Sequence, residues 1–175
     1  MAMVIQAPRI RLLLDEICSK LGGNWLLTGG ALVLLEFDDK REAHNVDLVP
    51  IDPKEGVMAL QRKIDSLSQP LGFTPAGVRA VATGYLNEVP DWRRYVVELN
   101  QGPSGRLLRP DLTLFTYLKL RRGTVKDISD LKSAIKKLGI KEFNVAALSA
   151  WAQARPDLLH RYVDNRLALG LPNLL

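Results

Sequence analysis

The stretch Leu27-Thr28-Gly29-Gly30-Ala31-Leu32 sets a glycine pair between two apolar runs. If the first run is a strand and the second a helix, the turn between them offers backbone N–H groups to an anion. Glycine admits a phosphate without a Cβ in the way, and the helix N-terminus adds positive partial charge. A glycine pair after a strand is more often an ordinary tight turn, so on its own it is weak evidence for an anion site. The segment Arg41-Glu42-Ala43-His44-Asn45-Val46-Asp47-Leu48-Val49 follows. On a strand, alternate positions share a face, so Asn45 and Asp47 are expected to project together, away from Val46 and Leu48. Two carboxylates so placed bind magnesium through hard oxygen ligands. Here the first of the two is an amide.

The elements that must carry these groups follow from periodicity. Apolar residues at helical spacing predict a helix over 8–21, ended by Gly22-Gly23. A short strand over 25–28 runs into the glycine turn, and a short helix over 31–37 stands behind it. Residues 38–44 read as a loop or strand approach, and 46–51 as a β-branched strand closed by Pro53. A helix over 54–67 crosses back over the sheet. Residues 72–90 are rich in glycine and proline, with Val78 and Val81 as strand fragments. Strands are expected over 94–99 and 106–108. Pro110 then opens a helix with Asp111 as a first-turn charge, and Gly123 stops it. Helices over 126–138, 145–154 and 156–169 complete the chain. The fold class is therefore α/β, a small mixed sheet flanked by helices. Residues 1–110 form its core, and 111–175 a helical C-terminal portion packed on that core.

With 175 residues, 47% of them hydrophobic and 25% charged, the chain is long enough to bury a core and too apolar for a disordered tail. The single Cys18 forms no internal disulfide, and two histidines with one thiol argue against structural zinc. No apolar run approaches the roughly 20 residues of a membrane span. The charges of the N-terminal apolar stretch lie inside it, unlike those of a signal peptide, so a cytoplasmic location is expected. The net charge of +5 is uneven. Residues 119–141 hold eight basic residues against Asp127 and Asp130, a net of +6 that leaves about −1 for the rest. Such a segment attracts polyphosphate or nucleic acid, or is simply a solvated helix face; charge alone favours the second.

At these residues the sequence resembles the nucleotidyltransferase-fold proteins of the polymerase beta type, in particular small bacterial proteins related to abortive-infection toxins. Their Gly-Gly-x-Ala-Leu matches Gly29, Gly30, Ala31 and Leu32. Their Arg-x-Thr-x-Asp-hydrophobic-Asp matches Arg41 and Asp47, with Ala43 for the threonine and Asn45 for the first aspartate. A later proline, a helix lysine and Lys-Asp-hydrophobic-x-Asp-Leu match Pro110, Lys119, Lys126, Asp127, Asp130 and Leu131. The resemblance spans about 25–138. It implies transfer of a nucleoside monophosphate from a nucleoside triphosphate to RNA or protein, toxin-like, with an antitoxin-like partner. Two Mg2+ ions held by three carboxylates would assist.

Asp47, Asn45 and Glu98 on the 94–99 strand are then the catalytic and metal positions, Glu98 being equally an edge-strand residue facing solvent. Thr28, Gly29, Gly30, Arg41 and Lys119 are the nucleotide-binding positions, Lys119 being equally a surface lysine. Asn45 and Ala43 depart from the pattern and leave at most two carboxylates. An enzyme with a degenerate site and an impaired relative that binds a nucleotide or a partner both follow. A module binding nucleic acid through the basic helices is a third reading. Among the other polar residues, His44 reads as an exposed loop residue, Cys18 as packing and Trp92 as a cap on the core. Asp127 and Asp130 are expected at a helix N-terminus, paired with Lys126 or Arg122.

Overall fold

Apolar runs and glycine turns alternate through the first half of the chain and fold into a mixed five-stranded sheet flanked by helices; a helical C-terminal portion follows. The structure is a computed structural model and describes residues 4–175. It divides into two units. The first takes Met1–Glu88 with Val97–Arg109, and the second takes Val89–Val96 with Pro110–Leu175.

In the first unit, α1 (Ala7–Lys20) begins with Pro8 in its first turn, where a missing N–H is harmless, and buries Ile10, Leu13, Leu14, Ile17 and Cys18. β1 (Gly23–Thr28) passes directly into α2 (Gly29–Glu36), which buries Ala31, Leu32, Val33 and Leu34. β2 (Val46–Ile51) is followed by α3 (Val57–Ser68), then β3 (Val78–Ala80), β4 (Val96–Gln101) and β5 (Gly105–Pro110). The strand order is β3-β2-β1-β5-β4. β2 runs antiparallel to β1, while β5 runs parallel to β1 and β3 parallel to β2.

β3 is short for a reason found in β2. In the parallel ladder Val46 N–H donates to Gly77 and Leu48 C=O accepts from Val81. The next donor from β2 in this alternation would be residue 50, which is proline and has no N–H, so the ladder stops. The expected 46–51 strand has the predicted bounds. Asn45 lies just before it rather than on it, so the alternation argument applies to Asp47 alone.

The second unit is built on α4 (Leu112–Arg122), buried nearly all round from Leu112 to Leu120, against which α5 (Val125–Leu138), α6 (Val145–Gln153) and α7 (Pro156–Leu169) pack. A helix buried on nearly every side belongs in the centre of a bundle. Within this unit Trp151 makes edge-to-face contacts with Tyr95 and Tyr117, at 4.7 Å and 5.9 Å between ring centres. Trp92 is buried in the short 3-10 turn before β4, as its reading as a core cap required.

Caps written in the sequence fix the helix starts. Asp111 accepts from the Leu114 N–H, Asn144 accepts from the Ala147 N–H, and Thr124 with Asp127 forms a reciprocal capping box. Here one expectation is corrected. Pro110 ends β5 instead of opening α4, and Asp111 is the cap itself rather than a first-turn charge. The short carboxylate reaches its own downstream N–H only from the flanking, extended position. Gly123 ends α4 with φ +66°, as expected of a glycine stop.

Candidate functional site

The glycine turn and Asp47 come together because of the register between two strands. Thr28, the last residue of β1, stands opposite Asp47 in the antiparallel pair. The chain then turns at Gly29 with φ +74°, a left-handed backbone that suits glycine. A Cβ placed on Gly29 would lie 2.8 Å from Asp47 Oδ2, so the carboxylate sits directly against the bare backbone. A Cβ on Gly30 would lie 3.5 Å from Arg41 Nη2. Arg41 also donates through Nη1 to the Glu42 carbonyl. Gly29, Gly30, Arg41 and Asp47 thus form one cluster at the N-terminus of α2, with Thr28 as its cap residue. His44 lies exposed on the loop leading to β2.

Arg79 is the residue that sequence reasoning missed. It stands opposite Asp47 in the parallel β2–β3 pair, and its Nε and Nη2 both lie 2.7 Å from Asp47 Oδ1. Asp47 is therefore held through Oδ1 by two arginine nitrogens, while Oδ2 lies in the space that a Cβ on Gly29 would occupy. Bonds between ionised partners of this kind are the strong ones.

Glu98 is not brought to this cluster. It is exposed on β4 at the far edge of the sheet, 3.4 Å from Arg106 Nη1. Three strand steps separate it from β2, about 14 Å at roughly 4.8 Å per step. The donors present do not fit a two-magnesium centre. Asn45 is neutral, Asp47 is engaged by Arg79, and Glu98 lies across the sheet. Among the described residues no three His, Cys, Asp or Glu side chains group so that they could hold a metal ion. A cavity of about 440 Å3 in the same unit opens at the other end of β1 and β2, lined by Lys20, Trp25, Pro50 and Lys63. None of Gly29, Gly30, Arg41 or Asp47 lines it.

Lys119 has a different occupation, inside the second unit. It is 6% exposed, and its Nζ lies 2.6 Å from Asp130 Oδ2 and 3.4 Å from Asp127 Oδ1. Asp127 is also held by Arg122 Nη2 at 2.6 Å and by the Thr124 hydroxyl at 2.7 Å. The expected pairing with Arg122 holds for Asp127, but the cation shared by both aspartates is Lys119, and among the described residues Lys126 forms no ion pair with either. Burial alone would raise the Asp127 carboxyl. Hydrogen bonds from Arg122 and Thr124, with the charges of Lys119 and Arg122, outweigh it and hold the group below the ordinary carboxylate value.

The sign of the pH dependence follows. A carboxyl whose folded pKa lies below its unfolded value, near 3.9, stabilises the fold above that value and loses this contribution as pH falls through the folded one. The parent is expected to lose stability in urea as pH falls below about 4, and Asp127→Asn to lose less over the same fall. Equal losses in both proteins would remove Asp127 from the acid response.

Compared with protein families, curated proteins and solved structures, the chain matches none of them. Among the described residues no helix is long and apolar enough to cross a membrane.

Proposed function

We propose that the chain is a nucleotidyltransferase-like protein, akin to the small toxin-like kind, that binds the phosphates of a nucleoside triphosphate and is impaired in transfer. The observation that carries this reading is the Asp47–Arg79 ion pair. Active members of such a family need ionised carboxylates free to hold two dications. Here Arg79 neutralises the one motif carboxylate that remains, and Arg41 adds positive charge beside Gly30. The N-terminus of α2 with its bare glycine backbone admits an anion closely, and Arg41 stands beside it. Mg2+-assisted transfer of a nucleoside monophosphate to RNA or protein, with an antitoxin-like partner, is the reading that this ion pair disfavours.

The test is a thermal-shift series with the four nucleoside triphosphates, with and without magnesium, beside a labelled-triphosphate transfer assay. A nucleotide present at about ten times its Kd adds about 1.4 kcal/mol, a rise of about 3–5 °C. At least one triphosphate is expected to give that rise without magnesium, Arg41→Ala to remove it, and no label to be transferred. Calorimetry is expected to show no magnesium binding to Asn45→Asp, because Arg79 still holds Asp47. The proposal fails if none of the four raises the melting temperature, or if the parent transfers label and Asp47→Ala does not.

A further inference from the structure

The structure sorts the charges of α5 by side. Both of its carboxylates, Asp127 and Asp130, face inward and are taken up by Lys119 and Arg122 of α4. All four of its lysines, Lys126, Lys132, Lys136 and Lys137, are exposed, and among the described residues none enters an ion pair. At 100° per residue the four fall within about 140° of arc along a helix about 21 Å long. Lys132 and Lys136 stand one turn apart, a like-charge pairing that destabilises a helix by a few tenths of a kcal/mol. A helix face that is only solvated normally intersperses acids with its lysines. This one keeps every cation outside and every anion inside.

We infer that the outer face of α5 binds the phosphate backbone of nucleic acid without reading its sequence. Charge complementarity selects the partner: four ammonium groups in a row match a dense line of phosphates. Chemistry of the rest of the face excludes base readout. Between the lysines stand Ser129, Ser133 and, at the helix start, the exposed Val125, with no aromatic ring to stack on a base and no arginine, asparagine or glutamine to pair with its edge. The inference rests on α5 alone and does not depend on the nucleotide reading of the Gly29–Asp47 cluster.

Fluorescence anisotropy with a labelled 20-nucleotide RNA of mixed sequence, titrated with salt, tests it on the full chain. Four phosphate contacts on a single strand give a slope of log K against log[salt] of about −2.8, so affinity falls about fifty-fold between 50 and 200 mM salt. In Lys132→Gln/Lys136→Gln the slope is expected to shrink to about −1.4, with the melting temperature unchanged or raised. Lys40→Gln/Lys54→Gln, on exposed positions of the first unit, keeps the parent slope. An RNA of another sequence binds equally well. Absence of binding at 50 mM salt overturns the inference. So does an equal loss of slope in both double variants, which would make net charge the cause. Displacement of the RNA by polyglutamate at equal charge overturns the choice of nucleic acid over an acidic protein.

Discussion

Replacing Lys119 with methionine is expected to cost about 3–5 kcal/mol of stability, the range for removing one partner from a buried ion pair. The cluster it holds spans the turn between two helices. Lys119 and Arg122 lie in the last turn of α4, where cations oppose the helix dipole favourably, and Asp127 lies in the first turn of α5, where an anion does the same. Asp130, one turn further on, is 2% exposed, and its Oδ2 lies 2.6 Å from the ammonium group. Methionine preserves the length and packing of the stem while deleting the charge, so both carboxylates lose the same cation at once. Urea unfolding followed by tryptophan fluorescence measures the loss. A second replacement, Asp130→Leu, is expected to return part of it, because an apolar pair tolerates burial better than a lone carboxylate. An exposed, ligand-binding lysine behaves otherwise: its loss changes stability by less than about 0.5 kcal/mol and abolishes the nucleotide response. That outcome would restore Lys119 to the nucleotide-binding positions.

Signals of different range explain why some of this was legible and some was not. Helices α5 and α7 and strand β2 have bounds at or within a residue of the expected ones, because period, glycine stops and caps are local. The approach of Gly29 to Asp47 was also legible, since strand, turn, helix and returning strand leave little choice of where the turn ends. Arg79 was not. It lies 32 residues beyond Asp47 in a segment rich in glycine and proline, on a three-residue strand too short to show alternation. Its partner is chosen by register between strands, which no local pattern specifies. The role of Lys119 did leave a trace. Asp127, Asp130, Leu131 and Ala134 fall at i, i+3, i+4 and i+7, so both aspartates lie on the stripe that α5 buries. Two acids on a buried stripe require a cation facing them, and the neighbouring helix end supplies one. The alternative stripe of Leu131, Ile135 and Leu138 overlaps this one and concealed it.

Gly29→Ala is expected to cost about 2–3 kcal/mol, and the loss has two separable causes. The backbone at φ +74° places an alanine in the left-handed region, at about 1–2 kcal/mol. The new Cβ would also stand 2.8 Å from Asp47 Oδ2. A carboxylate on a free side chain would turn away at little cost. This one is tied by Oδ1 to both Arg79 nitrogens, so turning away loosens an ion pair. Gly30→Ala provides the contrast. Gly30 lies inside α2 with ordinary φ, its Cβ would meet Arg41 at 3.5 Å, and alanine in a helix is favoured over glycine by up to about 1 kcal/mol. Its stability is expected to be unchanged or higher. Adding Asp47→Ala to each parent closes a double-mutant cycle. If the contact with Asp47 carries part of the loss, Gly29→Ala costs about 1 kcal/mol less in the Asp47→Ala background, and the remainder is the backbone's. A Gly29→Ala protein that unfolds at the same urea concentration as the parent would refute the turn itself, and with it the cluster that the turn builds.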